Sequence, residues 1–369
     1  MTMKKRVLFF FVHPAKFHLS RATVNQLKAD GHHVDIIITG RDILEELVVN
    51  EGWEYTKVFA NGRKVTWLHI WLSAGIFIML TILKLLQLTW GKKYDLFITD
   101  DCLTFVGRLK GTPSVFVTDD DLSAVPESAI LMASANYILA PSICDLGKYD
   151  SKKWGYYGYK AIFHLHPNRF TADQSKIKEE LRGIEYFFIR TVSATSTHDV
   201  GKRGIGDDLL RDIIKVLEPK GRVVLNSERE LPSDLQPYVL DFRKNDVAHY
   251  VANAKLFISD STTMVVEAAL MAVPSIEIDD WFSDFKQYHE LSAKYGLLAG
   301  FGVEDFDKIK EKIEEILADP NLKETYKERQ KVMLNDKIDA SAYLIWMIEN
   351  YPKSSKEYFA DTTSQLRFK

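Results

Sequence analysis

The stretch LFISDSTTMVVEAALMAVPSIEI, residues 256–278, runs from an apolar segment into one acid and three hydroxyls, then into a nearly unbroken apolar segment with a single carboxylate, Glu267. Leu256–Ser259 has the length and composition of a buried strand, and a helix starting near Thr262 would take Asp260 or Ser261 as its cap. Wholly apolar strands that feed directly into helices belong to parallel sheets covered on both faces. The free N–H groups of such a helix's first turn, its dipole and the hydroxyls of Thr262 and Thr263 together suit a phosphate. Thr263 and Glu267 are four residues apart, on one helix face about 6 Å apart along the axis. That is close to the span from a nucleotide's phosphates to its ribose hydroxyls, so Glu267, expected to be buried, would grip the ribose. The plainer alternative is that Ser-Thr-Thr only caps the helix and Glu267 reaches solvent.

The same alternation extends through the chain. RVLFFFV (6–12), VDIIIT (34–39), DLFIT (95–99) and SVFVT (114–118) are strand-like and are separated by helical spacings, which predicts a doubly wound parallel sheet in the N-terminal half. A second set follows from 185 onward, with helices over 207–217 and 247–252, and strands over 222–226 and 256–259. A length of 369 residues exceeds what one core usually serves, so two domains facing across a cleft are expected. The expected limits are 1–165, a linker over 166–183 that includes a charged helix KIKEELRG, 184–335, a closing helix over 336–353 that packs back on the first domain, and a frayed tail over 354–369.

A hydrophobic content of 46% with 27% charged residues is globular, and a net charge of −3 gives no reason to expect a nucleic-acid partner. The two cysteines, Cys102 and Cys144, form neither a CxxC pair nor a disulfide framework, which fits a reducing cytoplasm. LHIWLSAGIFIMLTIL, residues 68–83, is nearly uncharged but too short for a span and is closed by Lys84. It reads as a helix packed on the sheet or as a surface that meets lipid at the inner face of a membrane.

In open α/β sheets ligands sit beyond the C-terminal ends of the strands. The residues there are His13 and His18 in VHPAKFH, Asp100 and Asp101 in ITDDC, Asp119 in VTDDD with Glu127 shortly after, and His198 and Asp199 in the second half. HDVGKRGIG (198–206) follows a strand and opens a helix; Gly201 and Gly204 would let backbone amides approach an anion, with Lys202 and Arg203 adding charge. A flexible surface turn is the alternative, and the spacing is not that of a Walker loop. No GxGxxG follows the first strand, so no dinucleotide cofactor is expected. The acids lack a third ligand type at close spacing, so no metal site is expected either.

Taken in order, the strand-end HP, the central TDD, LHPNRF, HDVGKRGI, DSTTMVVEAALMAVPSI and IWMIENYP resemble a prokaryotic family of predicted glycosyltransferases, the domain-of-unknown-function 354 family. That family is similar to the non-hydrolysing UDP-N-acetylglucosamine 2-epimerases, and the resemblance spans residues 6–352. It implies a GT-B arrangement of two Rossmann-like domains, with a nucleotide-sugar site mainly in the second. It also implies that Asp101, Asp119, Glu127 and His198 occupy places similar to epimerase catalytic residues. Ala129 and Ile130 stand where the epimerases carry polar residues, and Asp119 is shorter than their Glu, so the pattern departs from epimerisation.

The expected activity is a metal-independent glycosyltransferase that uses a nucleoside-diphosphate sugar and a saccharide or lipid-linked acceptor, with His13, His18 or Asp119 as base. A sugar-nucleotide 2-epimerase is the alternative. ISDSTTMVVEAALMAVPSI also resembles polyol-phosphate transferases of wall teichoic acid synthesis. A polyol-phosphate transferase or a non-catalytic nucleotide-sugar sensor therefore stands third.

Overall fold

The computed structural model describes residues 3–40, 43–59, 70–192, 203–280, 282 and 286–369, with the backbone alone for 70–74. The chain divides into two compact units, one of residues up to His164 together with Lys337–Lys369, the other Leu165–Asp336.

Unit 1 is built on β1 (Arg6–Phe11), β2 (His33–Ile38), β3 (Thr56–Lys57), β4 (Leu96–Thr99), β5 (Ser114–Val117), β6 (Tyr137–Pro141) and β7 (Lys153–Tyr156). They form one seven-stranded sheet in the order β3-β2-β1-β4-β5-β6-β7, with every pair parallel. The helices between them are α1 (Pro14–Ala29), α2 (Leu44–Asn50), α3 (Ile70–Leu88), α4 (Leu103–Lys110), α5 (Ala129–Ser134) and α6 (Ile162–Leu165). Leu8, Phe10, Phe97 and Leu103 pack with Leu85 of α3 on one face of the sheet. The strands carry apolar residues on both sides because helices cover both sides, so no alternation survives in RVLFFF.

Unit 2 contains β8 (Tyr186–Thr191), α7 (Asp207–Leu217), β9 (Arg222–Ser227), α8 (Val247–Asn253), β10 (Leu256–Ser259), α9 (Thr262–Leu270), β11 (Ser275–Ile278), α10 (Lys286–His289), β12 (Leu298–Phe301), α11 (Phe306–Leu317) and α12 (Leu322–Asp336). Its five strands lie in the order β12-β11-β10-β8-β9, again all parallel. The core joins Phe188, Val224, Phe257 and Val265. The chain then re-enters unit 1 as α13 (Ala340–Glu349) and α14 (Lys353–Ala360). There Ser341 Oγ donates to the Phe163 carbonyl at 2.6 Å.

Two expectations fail. Residues 166–183 are no linker, since Ile177 and Leu181 are buried in the core of unit 2. KIKEELRG makes only short 3₁₀ turns, Gln174–Lys176 and Glu179–Leu181, before Gly183 turns the chain at φ +75°. The tail after Ser354 is folded, because it serves the exposed edge of β7. Tyr358 Oη accepts from Gly155 N (2.8 Å), and the Gln365 amide accepts from Tyr157 N (2.7 Å) and donates to Gly155 O (3.2 Å). These side chains satisfy edge groups that would otherwise need another strand.

Candidate functional site

Each sheet has one point where the strand order reverses, and the polar motifs gather there. In unit 1 it lies between β1 and β4, so the His-Pro turn after β1 and the Thr-Asp-Asp turn after β4 stand at the same edge. In unit 2 it lies between β8 and β10, which brings the loop ending in Arg203 and Gly204 to the residues that open α9.

The start of α9 departs from the expected cap. Ser261 is the N-cap by its backbone, but it makes no side-chain cap bond. Asp260 is turned away from the helix, its Oδ1 accepting from Val192 N (2.9 Å) and its Oδ2 from Ile205 N (3.1 Å). It therefore ties the end of β8 to the loop before α7. A Cβ on Gly204 would stand 2.5 Å from Asp260 Oδ2, so the missing side chain of Gly204 makes room for this carboxylate rather than for a bound anion. Burial pushes Asp260 up to about 6, against the pull of its two amide donors.

The two threonine side chains divide the work. Thr262 Oγ1 is buried beside Glu277, whereas Thr263 is exposed. Glu267, expected to be buried, is half-buried one turn further on, on the same side of the helix as Thr263. Ser261 thus leaves the first turn of α9 without its own side-chain cap, with the exposed Thr263 and the half-buried Glu267 one turn apart on one side.

Arg203 is held by Asp280 (Nε–Oδ2 3.0 Å) and Glu304 (Nη1–Oε1 2.5 Å). Its side chain is 60% exposed, so these pairs are weak and exchangeable. His198, Gly201 and Lys202 lie outside the described residues.

Below α9 sits a group of acids that sequence reasoning passed over. Glu277 in β11 is fully buried, and neither of its carboxyl oxygens has a hydrogen-bond partner among the described residues. Burial, with the charges of Asp279 and Asp260 nearby, pushes it up to about 9 despite the Thr262 hydroxyl. Glu277 pairs in register with Ser259 on one side and Gly300 on the other, and the Tyr288 hydroxyl fills the space where a Gly300 side chain would be. The signal was legible, since an acid in the middle of the apolar strand SIEI has nowhere to go but inward.

In unit 1 the structure brings together Lys16, Asp119, Lys160, Asp100 and Tyr156. Asp119 is clamped by Lys16 (Nζ–Oδ1 3.0 Å) and Lys160 (Nζ–Oδ2 2.6 Å). Burial opposes its ionisation, but the Lys160 and Lys16 ammonium groups override that and hold the carboxyl well below the usual range. A carboxylate so stabilised is a poor base, which argues against the proton-transfer role expected of it. Burial likewise opposes the charge on Lys16, yet Asp119 and Asp100 raise its pKa.

Asp100 is a perturbed acid in the Thr-Asp-Asp turn. Its Oδ1 is buried without a hydrogen-bond partner among the described residues, and burial pushes it up to about 7, with Lys16 opposing and Asp101 adding to the shift. Asp101 is a turn residue whose Oδ1 accepts from Cys102 N and whose own N–H donates to Thr99 Oγ1. Tyr156 Oη is buried with no hydrogen-bond partner among the described residues, and burial, then Asp119, keep it protonated.

The remaining candidates are spread out. His13 is the N-cap of α1, its Nδ1 accepting from Ala15 N at 3.2 Å, which places the proton of a neutral ring on Nε2. His18 meets Phe17 edge-to-face and His164 at a tilt, with ring centroids 5.4 and 5.5 Å away. Glu127 is exposed in a 3₁₀ turn, Pro126–Ser128. No group of three or more His, Cys, Asp or Glu with metal-binding placement occurs among the described residues.

No family model and no curated sequence matches the chain. Its fold, however, is that of GT-B enzymes. The glycotransferase of kitacinnamycin superposes with a TM-score of 0.66 at 14% identity, over 95% of this chain and 99% of that one. The UDP-GlcNAc 2-epimerase of Neisseria meningitidis, solved bound to UDP-GlcNAc, gives 0.68 at 13% over 93% and 99%. The calicheamicin glycosyltransferase CalG4 gives 0.60 at 13% over 97% and 99%. Transferases and epimerases are thus alike in fold to this chain.

Proposed function

We propose that the chain is a nucleotide-sugar enzyme, and that its reaction is glycosyl transfer from a nucleoside-diphosphate sugar to a saccharide or lipid-linked acceptor without a resident metal. The observation that supports this is the first turn of α9, given no side-chain cap bond by Ser261, at the reversal point of the unit 2 sheet, with Thr263 exposed and Glu267 half-buried on one face. The helix-end amides and the Thr263 hydroxyl would receive the diphosphate, Glu267 the ribose hydroxyls, and Lys202 and Arg203 would add positive charge as the leaving diphosphate forms. Proton removal from the acceptor falls to Asp100, whose pKa of about 7 suits a general base at neutral pH better than the ionised Asp119.

Calorimetry with UDP tests the nucleotide assignment. Glu267→Ala and Thr263→Val should each weaken binding at least tenfold, and unchanged affinity in both would end it. Epimerisation is the second reading, supported by the UDP-GlcNAc complex of a fold neighbour. Incubation with UDP-N-acetylglucosamine alone in heavy water separates the two, because deuterium at C2 would establish the epimerase and its absence favours transfer.

A further inference from the structure

Helix α3 is apolar on its outward side as well as its inward one. Leu85 is buried in the core with Ile82 and Leu86 packed beside it, and the buried hydroxyls of Thr81 and, just past the helix, Thr89 are satisfied locally, donating to the carbonyls of Phe77 and Leu85 at 2.8 Å. Its outward side carries large apolar residues beside the exposed Gln87: Ile78 is 44% exposed, Met79 54% and Leu83 55%, and Trp90 just beyond the helix is 83% exposed. A water-facing helix side normally carries polar residues, and exposed apolar surface of this kind marks an interaction site.

Positive charge frames this stripe. From 75 to 94 the sequence contains Lys84, Lys92 and Lys93 and no acid. Lys110 Nζ reaches the carbonyls of Thr89 and Lys92, which sets the C-terminal ends of α3 and α4 side by side. That brings Arg108 and Leu109, the latter 69% exposed, to the same end. Lys92 and Lys110 are close enough that, after burial, Lys92 helps to lower the pKa of Lys110.

We infer that this face docks on an anionic lipid surface, with Met79, Leu83 and Trp90 entering the acyl boundary and the lysines meeting headgroup charges. The charge selects this occupant over a second copy of the chain. A twofold contact through the same face would set its lysines against themselves. None of the helices among the described residues is long and apolar enough to cross a membrane, and α3 buries one side in the core of unit 1, so it lies on the bilayer rather than through it. This inference is independent of the nucleotide site.

Co-sedimentation with phosphatidylcholine vesicles, with and without 30% phosphatidylglycerol, tests it. The full chain should bind the anionic vesicles, bind neutral ones at least tenfold more weakly, and release in 1 M salt. Met79→Glu or Leu83→Glu should lose at least tenfold in affinity, and Lys92→Ala and Lys93→Ala roughly fivefold each. Circular dichroism verifies that the variants fold, and the exposed pair Lys92→Glu/Lys93→Glu repeats the test without touching the apolar stripe. Emission from Trp90, isolated by difference against Trp90→Phe, should shift to the blue on binding. Three results would each overturn the inference: no binding to anionic vesicles, equal binding by wild type and the charge-reversed pair, or lipid-free self-association abolished by Leu83→Glu.

Discussion

The bare α-carbon of Gly204 lies against the carboxylate of Asp260, so close that a methyl group there would sit 2.5 Å from Oδ2. Gly204→Ala must push the carboxylate off the amides of Val192 and Ile205 or distort the loop. A loss of about 1–3 kcal/mol is expected in urea unfolding. Asp260→Ala, which strands two amides, should cost about 2–4 kcal/mol. Wild-type stability in both variants would show that this tie does not hold the loop.

Ala272 ends α9 in the left-handed region at φ +59°. Val273 N bonds to Ala268 O and Ala272 N to Ala269 O, the paired bonds of a Schellman ending, with alanine where glycine fits best. Ala272→Gly should therefore stabilise the protein by about 1 kcal/mol, read as a higher urea midpoint. A lower midpoint would contradict the strain inferred at this turn.

Glu277 and Asp119 give opposite pH dependences. Burial lifts Glu277 from 4.5 to about 9, so the native state holds a proton that the unfolded chain has released across that interval. Its stabilising contribution is complete below about 4.5 and is lost as pH rises towards 9. Glu277→Gln should flatten the fall in stability between pH 5 and 9; parallel curves for the two proteins would refute the assignment. The depressed Asp119 contributes above the ordinary carboxylate range, and its contribution fades as acid protonates it. Asp119→Asn leaves Lys16 and Lys160 facing each other and should cost about 3 kcal/mol at neutral pH.

Asp100→Asn should abolish turnover while leaving UDP affinity within twofold, since Asp100 belongs to unit 1 and the nucleotide is assigned to unit 2. In the wild type the acid limb of the rate profile should fall near pH 7, where Asp100 takes up its proton. An Asp100→Asn enzyme with normal turnover would move the base elsewhere.

Much of the fold was legible because buried parallel strands write themselves as short apolar runs. RVLFFF, LFIT, SVFV and LFIS could hardly be anything else, and RVLFFF, LFIT and LFIS lead into polar residues that stand at the reversal points of their sheets. The edge strand Thr56–Lys57 carries too few residues for such a signal, and in Leu298–Phe301 (LAGF) the small Ala299 and Gly300 break the apolar run. That Asp100 is buried, with Lys16 of α1 facing it, follows from tertiary contacts that spacing does not show. Asp260 and Gly204 lie against each other, a contact that a sequence does not show because they are far apart along the chain. The folded tail escaped notice because it pairs with β7 through a tyrosine hydroxyl and a glutamine amide, leaving no periodic trace.

That tail also sets an order for biogenesis. Unit 2 is one unbroken segment, whereas unit 1 waits for Lys337–Lys369 to bring Tyr358 and Gln365 to β7. As the polypeptide leaves the ribosome, the second-made unit is therefore the first that can be finished, and the first-made sheet carries an open edge until Gln365 has emerged. Until then that edge is a template on which another chain could pair.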